Sequence, residues 1–130
     1  MSNKTMLSAE KHVLILEDNA DLISLLQEMI EERTPGKITS VSEANAALAL
    51  LRKQTFDVLI CDLHLPGMSG PEFLNVCKQE NILPKDVMII SGDIKHPDLD
   101  PEMTKDFICL EKPFFVETFP DLIKKILDKK

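Results

Sequence analysis

The 130-residue sequence has no excess of positive charge and no long hydrophobic run. Its formal net charge is −7, and nucleic-acid binding through phosphates requires clustered Lys and Arg side chains, so we predict no direct nucleic-acid partner. No apolar run approaches the roughly 18 residues that cross a bilayer. Residues 1–11 are polar and lack a signal-peptide core. We therefore expect a cytoplasmic protein without a membrane partner.

Cysteine is also scarce in this sequence. Cys61, Cys77 and Cys109 are odd in number and lie far apart along the chain. Two of them fall in predicted buried strands. This pattern favours reduced thiols packed in the core over a disulfide, a metal site or a nucleophile.

The length and composition are typical of one globular domain. Hydrophobic residues make up 44% of the chain and charged residues 28%. We predict a mobile N-terminal tail over residues 1–10 and one folded domain over residues 11–130.

Five short segments, most of them apolar and bounded by turn residues, predict β-strands. They are His12–Leu16, Lys37–Val41, Asp57–Asp62, Val87–Ile90 and Phe107–Leu110. Continuous apolar strands belong to parallel sheets that helices cover on both faces. Helical patterns alternate with these strands, and right-handed crossovers restrict the topology. We predict an α/β fold with a doubly wound, five-stranded parallel sheet of order 2-1-3-4-5, which is flavodoxin-like.

Helix boundaries are set by capping residues and by prolines. Asn19 can cap the helix that follows the first strand. Two prolines in residues 92–106 leave room for one or two helical turns, around Pro101 to Lys105, so we predict a shortened or irregular fourth helix. Thr118 is predicted to cap the last helix, with Pro120 in its first turn.

Polar side chains follow four of the predicted strands at the point where each strand ends. They are Glu17 and Asp18 after the first strand, Asp62 after the third, Ser91 after the fourth and Lys112 after the fifth. Any single strand end can be polar because strands end at the surface. The carboxyl ends of parallel strands meet at one edge of the sheet, so the joint pattern predicts one site with three carboxylates, a hydroxyl and an ammonium.

The residue types at this edge indicate phosphate chemistry with a metal ion. Two carboxylates about 4 Å apart repel by roughly 4 kcal/mol at an effective dielectric constant near 20, so three of them recruit a cation or raise one another's pKa. Oxygen ligands without His or Cys favour a hard ion, above all Mg²⁺. Asp62 can act as a nucleophile that forms an aspartyl phosphate. Lys112 supplies positive charge, Ser91 supplies a hydroxyl, and Gly92 leaves its backbone approachable to a phosphoryl group.

Four motifs in this order and spacing resemble the receiver domain of two-component response regulators, over about Lys11 to Leu127. The motifs are Leu-Glu-Asp-Asn at 16–19, Asp-Leu-His-Leu-Pro-Gly-Met-Ser-Gly at 62–70, Ser-Gly at 91–92 and Lys-Pro-Phe at 112–114. Each motif alone is weak, and their combination is specific. No output domain follows Lys130, so we expect a stand-alone receiver similar to those of chemotaxis. A receiver domain cut from a hybrid kinase or a longer regulator would have the same appearance.

The resemblance implies a role for the central residues. Asp62 resembles the phosphoacceptor, which takes a phosphoryl group from a histidine kinase or a histidine phosphotransfer protein. Ser91 resembles the switch hydroxyl that turns toward this group, and Lys112 resembles the lysine that pairs with it. Such a domain is not an enzyme, since it catalyses only its own phosphorylation and dephosphorylation. A homodimer is compatible with the family, and the downstream target is not implied.

The resemblance also implies the metal ligands. Glu17 and Asp18 resemble the acidic pair that binds Mg²⁺ together with Asp62. The backbone carbonyl of His64 matches the main-chain ligand of the family.

Two features depart from the family pattern. The family usually carries Tyr or Phe three residues before the lysine, as a rotating switch, and this position is Cys109 here. Phe107 lies two residues earlier on the same strand, so it shares a face with Cys109 and is a candidate replacement. The short fourth helix alters the surface that relatives use for output. We therefore expect activation to reorganise residues 93–106.

Two other classes of function remain open from the sequence alone. A pseudo-receiver would have the same fold and act as an interaction module without phosphorylation, and the missing aromatic favours it. A phosphatase with an Asp nucleophile typically carries a second Asp two residues later, where this chain has His64. The intact set of acids favours the phosphorylated receiver.

Overall fold

The computed structural model describes residues 11–32, 36–65, 67–92, 101–105, 107–112 and 115–127. The predicted tail, residues 1–10, and most of residues 93–106 lie outside these ranges. Strands and helices alternate along the described chain. They are β1 (Lys11–Leu16), α1 (Ala20–Glu31), β2 (Gly36–Val41), α2 (Ala44–Lys53), β3 (Val58–Cys61), α3 (Gly70–Glu80), β4 (Asp86–Ser91), α4 (Pro101–Thr104), β5 (Ile108–Glu111) and α5 (Phe115–Leu127).

The five strands form one parallel sheet in the order β2-β1-β3-β4-β5, which confirms the predicted fold. Each strand agrees with its predicted bounds to within one residue at either end. The central strands β1 and β3 are almost fully buried because helices cover both faces. Burial on both faces explains why these strands read as continuous apolar runs in the sequence.

The core is divided by the sheet into two layers. One layer packs α2 and α3 against the sheet, and its strand residues include Leu14, Leu16, Leu59, Cys61 and Ile89. The other layer packs α1 and α5 against the opposite face, and its strand residues include Val13, Ile15, Val58, Ile60 and Met88. Successive residues of one strand enter different layers because side chains alternate across a sheet.

The fourth helix is short, as the prolines predict. It spans four residues, Pro101–Thr104, and the described side chains of Pro101, Glu102 and Lys105 are exposed. Among the described helices, none combines the length and the apolar character that a membrane span requires.

The predicted start of the last helix is wrong. Helix α5 begins at Phe115, so Pro120 lies inside the helix and Thr118 does not cap it. A proline at this position removes one backbone hydrogen bond from the helix. The helix nevertheless continues because Phe119 and Ile123, on either side of Pro120, are fully buried in the core layer shared with α1. Burial of large apolar side chains outweighs the lost bond.

Candidate functional site

The ends of β1 and β3 bring three acidic residues together. The backbone N–H of Asp62 donates to the carbonyl of Leu16 at 3.1 Å, which holds the two strand ends level. One carboxylate oxygen from each of Glu17, Asp18 and Asp62 lies within 4.8 Å of the others. Glu17 and Asp62 are buried, at 3% and 6% exposure, whereas Asp18 is exposed. The cluster is therefore buried at Glu17 and Asp62 and open to solvent at Asp18.

Lys112 reaches this cluster from the end of β5. Its backbone N–H donates to the carbonyl of Ser91 at 2.9 Å, which continues the pairing of β4 and β5 by one residue. Its Nζ donates to Oδ2 of Asp62 at 3.1 Å and to Oε1 of Glu17 at 3.4 Å. One ammonium thus bridges two buried carboxylates from different strands.

Ser91 and Gly92 lie beside the lysine at the end of β4. Ser91 is fully buried, and Gly92 is exposed. A Cβ built on Gly92 would meet no atom within 4 Å, so the space beside its backbone is open. The open space agrees with the predicted approachability of Gly92, and a small side chain would also fit there.

The loop between β3 and α3 is fixed by two backbone contacts. The backbone N–H of His64 donates to Oδ1 of Asp62 at 3.2 Å, while the His64 side chain is exposed. The backbone N–H of Gly70 donates to the carbonyl of Leu63 at 2.9 Å. A Cβ on Gly70 would lie 2.5 Å from Cα of Leu63, so this close approach requires glycine. The sequence motif at residues 62–70 contains Gly70 but does not by itself indicate this contact.

The charges in the site perturb two pKa values. Burial raises the pKa of Glu17, and repulsion by Asp62 adds to this effect, while the Asn19 N–H and Lys112 oppose it. For Lys112, burial lowers the pKa, but the hydrogen bonds and charges of Asp62 and Glu17 outweigh burial and raise it overall. The charged form of Lys112 is therefore stabilised, and the three carboxylates of the acidic cluster still attract additional positive charge.

The donor set of the acidic cluster fits Mg²⁺. Its three candidate ligands are carboxylate oxygens, and the partly open side at Asp18 leaves room for the waters that Mg²⁺ retains.

The family model of the response regulator receiver domain matches residues 13–125. The chain belongs to this family. The chain is similar to the two-component response regulator ARR2 of Arabidopsis thaliana, with 29% identity over 131 residues. This match covers 99% of the chain and 19% of ARR2. The chain thus spans about a fifth or less of the length of the curated relatives it matches.

Two solved structures share the receiver fold. The phosphorylated cyanobacterial phytochrome response regulator RcpA is 27% identical, with a TM-score of 0.72 and 91% of each chain covered. The receiver domain of the sensor histidine kinase PA1611 from Pseudomonas aeruginosa is 19% identical, with a TM-score of 0.71, 93% of this chain and 100% of that chain covered. The PA1611 structure has a magnesium ion coordinated in its active-site cleft.

The three cysteines of this receiver domain are free thiols. Burial raises the pKa of Cys77 to about 12, and it also raises the pKa values of Cys61 and Cys109. Cys61 directly precedes Asp62, and its thiol donates to the Asp62 carbonyl at 3.1 Å. Cys61 and Cys77 lie in the core layer that contains α2 and α3, and Cys109 packs against it, which agrees with the predicted packing role. Thiols whose pKa is raised by burial are poor nucleophiles.

Phe107 and Cys109 lie on the same side of the receiver sheet. Both are partly buried and pack against the core layer that contains α2 and α3. Cys109 pairs with Ile89 of β4. The shared face confirms the geometric expectation that Phe107 points the same way as Cys109.

Proposed function

We propose that this receiver domain, over residues 11–130, is the phosphoacceptor module of a two-component phosphorelay, with Asp62 as the acceptor. The observation that carries the proposal is the position of the Lys112 ammonium, which bridges Asp62 and Glu17 at 3.1 and 3.4 Å. A cation in contact with the acceptor carboxylate is placed to stabilise the charge of a phosphoryl group attached there.

The donor would be a phosphohistidine of a histidine kinase or a histidine phosphotransfer protein. A carboxylate oxygen of Asp62 attacks phosphorus, the P–N bond breaks, and its electron pair returns to the imidazole nitrogen, which takes a proton from solvent. The product is an aspartyl phosphate, which water later hydrolyses back to the free carboxylate. The domain thus turns over only its own phosphoryl group and is not an enzyme for external substrates.

Glu17, Asp18, Asp62 and the backbone carbonyl of His64 would hold Mg²⁺. The bound ion would neutralise charge on the phosphoryl group during transfer. Glu17 and Asp62 supply buried ligands, and the N–H of His64 orients Oδ1 of Asp62. The magnesium ion in the cleft of the PA1611 receiver domain supports this assignment.

Ser91 and Gly92 complete the proposed site. Ser91 is buried at the end of β4, beside the backbone of Lys112, where its hydroxyl can respond to a new phosphoryl group. Gly92 has open space beside its backbone and would allow close contact with that group. The free thiols of the core support a cytoplasmic location, and the net charge of −7 argues against nucleic acid as a direct partner.

A second candidate function is a pseudo-receiver that acts as an interaction module without phosphorylation. The presence of Cys109 at the position of the usual switch aromatic favours it. The two candidates differ in whether Asp62 becomes phosphorylated.

The experiment is intact-mass measurement after incubation with Mg²⁺ and a small-molecule phosphodonor. We expect one phosphoryl adduct on the native chain, and none in Asp62→Asn or in the presence of a chelator. Asp121→Asn, which removes an exposed carboxylate of α5, is the matched control and should be labelled normally. Labelling of Asp62→Asn at the native rate would contradict the assignment. Absence of any adduct on the folded native chain, also with a phosphorylated histidine phosphotransfer protein, would favour the pseudo-receiver.

A further inference from the structure

Asn19 connects the first acidic residue of the site to helix α1. It is the N-cap residue of α1, and its Oδ1 accepts the backbone N–H of Leu22 at 3.1 Å. Its carbonyl accepts the N–H of Ile23 at 3.0 Å. Its own backbone N–H points the other way and donates to Oε2 of Glu17 at 3.1 Å. The first turn of α1 therefore fixes the direction of the N–H that holds Glu17.

The two carboxylate oxygens of Glu17 have different partners. Oε2 is bonded by the neutral N–H of Asn19, and Oε1 accepts from Nζ of Lys112 at the longer distance of 3.4 Å. The Glu17 side chain is only 4% exposed, so water cannot replace these partners freely. The direction of the Asn19 N–H is held by the first turn of α1, so this donor continues to occupy Oε2 when positive charge enters the cluster. Oε1 is then the oxygen at which an incoming cation would take the place of the Lys112 ammonium.

We propose that Asn19 is a positioning residue for divalent-cation binding, which acts by holding Oε2 of Glu17 and leaving Oε1 for the ion. The inference rests on the proposed function, since it concerns the same acidic cluster. Asn19 itself is exposed and contributes no ligand. Its side-chain cap keeps the backbone N–H aimed at Glu17, and partners of metal ligands commonly change metal affinity when they are lost.

The test is the Kd for Mg²⁺, measured by calorimetry on the full metal-free chain. Asn19→Ala removes the capping acceptor, and we expect Mg²⁺ binding to weaken about tenfold. Asn19→Ser retains an oxygen that can accept from Leu22, and its Kd should stay within about twofold of the native value. Rescue by the conservative variant distinguishes positioning from a general effect of substitution at this residue.

A matched control separates positioning from loss of helix stability. Ser69 caps α3 in the same way, since its Oγ accepts the backbone N–H of Glu72 at 3.2 Å. Ser69→Ala therefore removes an equivalent cap without touching Glu17. We expect it to lower the unfolding temperature about as much as Asn19→Ala and to leave the Kd for Mg²⁺ unchanged. If Asn19→Ala does not fold, Asn19→Gly replaces it, because glycine is tolerated at N-caps.

The outcomes separate this inference from the proposed function. Equal Mg²⁺ affinity in the native chain and in a folded Asn19→Ala or Asn19→Gly variant would overturn the role of Asn19 and leave the proposed function standing. An equal loss of affinity in Asn19→Ala and Ser69→Ala would also overturn it. If the native chain itself binds no Mg²⁺, the proposed metal dependence fails, and the inference fails with it.

Discussion

The Nζ atom of Lys112 lies 3.1 Å from Oδ2 of Asp62. Lys112 follows β5 and Asp62 follows β3, and β4 lies between these two strands in the sheet. The same ammonium also reaches Glu17, so it attracts both buried carboxylates and offsets part of their mutual repulsion. The contact joins residues 50 positions apart in the sequence and places a cation directly on the proposed phosphoacceptor.

Replacement of Lys112 tests the strength of this arrangement. Lys112→Met leaves two buried carboxylates without their cation, and we expect a loss of about 1–3 kcal/mol in the free energy of unfolding. Mg²⁺ should restore part of this loss because it supplies the missing positive charge. The measurement is urea unfolding with a chelator and then with Mg²⁺.

The control for this variant is Lys105→Met, which removes an exposed lysine that contacts Glu102 at 3.3 Å. Exposed ion pairs contribute little, so its stability should change by no more than about 1 kcal/mol. An equal effect of the two substitutions would show that Lys112 does not neutralise the acidic cluster.

The pH dependence of stability follows from Glu17, whose pKa burial raises above the ordinary value of 4.5. The folded state therefore binds a proton at Glu17 more tightly than the unfolded state does. The contribution of Glu17 to the free energy of unfolding therefore falls as the pH rises from about 4.5 through the raised pKa of this residue. In a chelator, Glu17→Gln should lose this part of the pH dependence and be more stable than the native chain near neutral pH.

Urea unfolding at a series of pH values checks the Glu17 prediction. Glu28→Gln, on the exposed side of α1, is the matched control and should retain the native profile. A native profile in Glu17→Gln as well would mean that burial of this carboxylate does not determine the pH dependence.

Two glycines of the site should respond differently to alanine. In Gly70→Ala the new Cβ would lie 2.5 Å from Cα of Leu63, so the loop after β3 must shift, at a cost of about 1–3 kcal/mol. Gly92→Ala meets open space and should change stability by no more than about 0.5 kcal/mol. Thermal unfolding of both variants measures the difference. Equal stability of the two variants would contradict the close approach of Gly70 to Leu63.

Phosphorylation should change the segment before β5. We expect amide exchange in peptides that span residues 93–106 to differ between the native chain with and without a stable phosphoryl analogue. The reason is that α4 has only four residues, and its described side chains, Pro101 and Glu102, are exposed, so little burial stabilises this part of the segment. Asp62→Asn with the same analogue is the control and should show no difference. Unchanged protection in the modified native chain would place the response elsewhere.

The role of Phe107 can be tested in the same experiment. Phe107 shares its core layer with Cys109, where the family usually has its switch aromatic. If Phe107 replaces that aromatic, Phe107→Ala should reduce the exchange response to the analogue severalfold, whereas Ile108→Ala, on the other side of β5, should retain it. A full response in Phe107→Ala would rule out the replacement.

The sequence by itself determined the topology and the composition of the site. Strands buried on both faces must be apolar along their length, so β1, β3 and β4 were visible as short runs, and their alternation with helices led to a parallel sheet. Parallel strands align their carboxyl ends, which is why polar residues after separate strands could be assigned to one site.

The tertiary structure alone decided which atoms meet and how deeply they are buried. Glu17 and Asp18 are neighbours in the chain, yet only Glu17 is buried, and only the folded sheet brings Lys112 to its Oε1. The start of α5 before Pro120 and the contact of Gly70 with Leu63 also depend on packing between distant segments. Local patterns encode the period and the ends of an element, whereas distances and desolvation depend on neighbours that the local sequence does not contain.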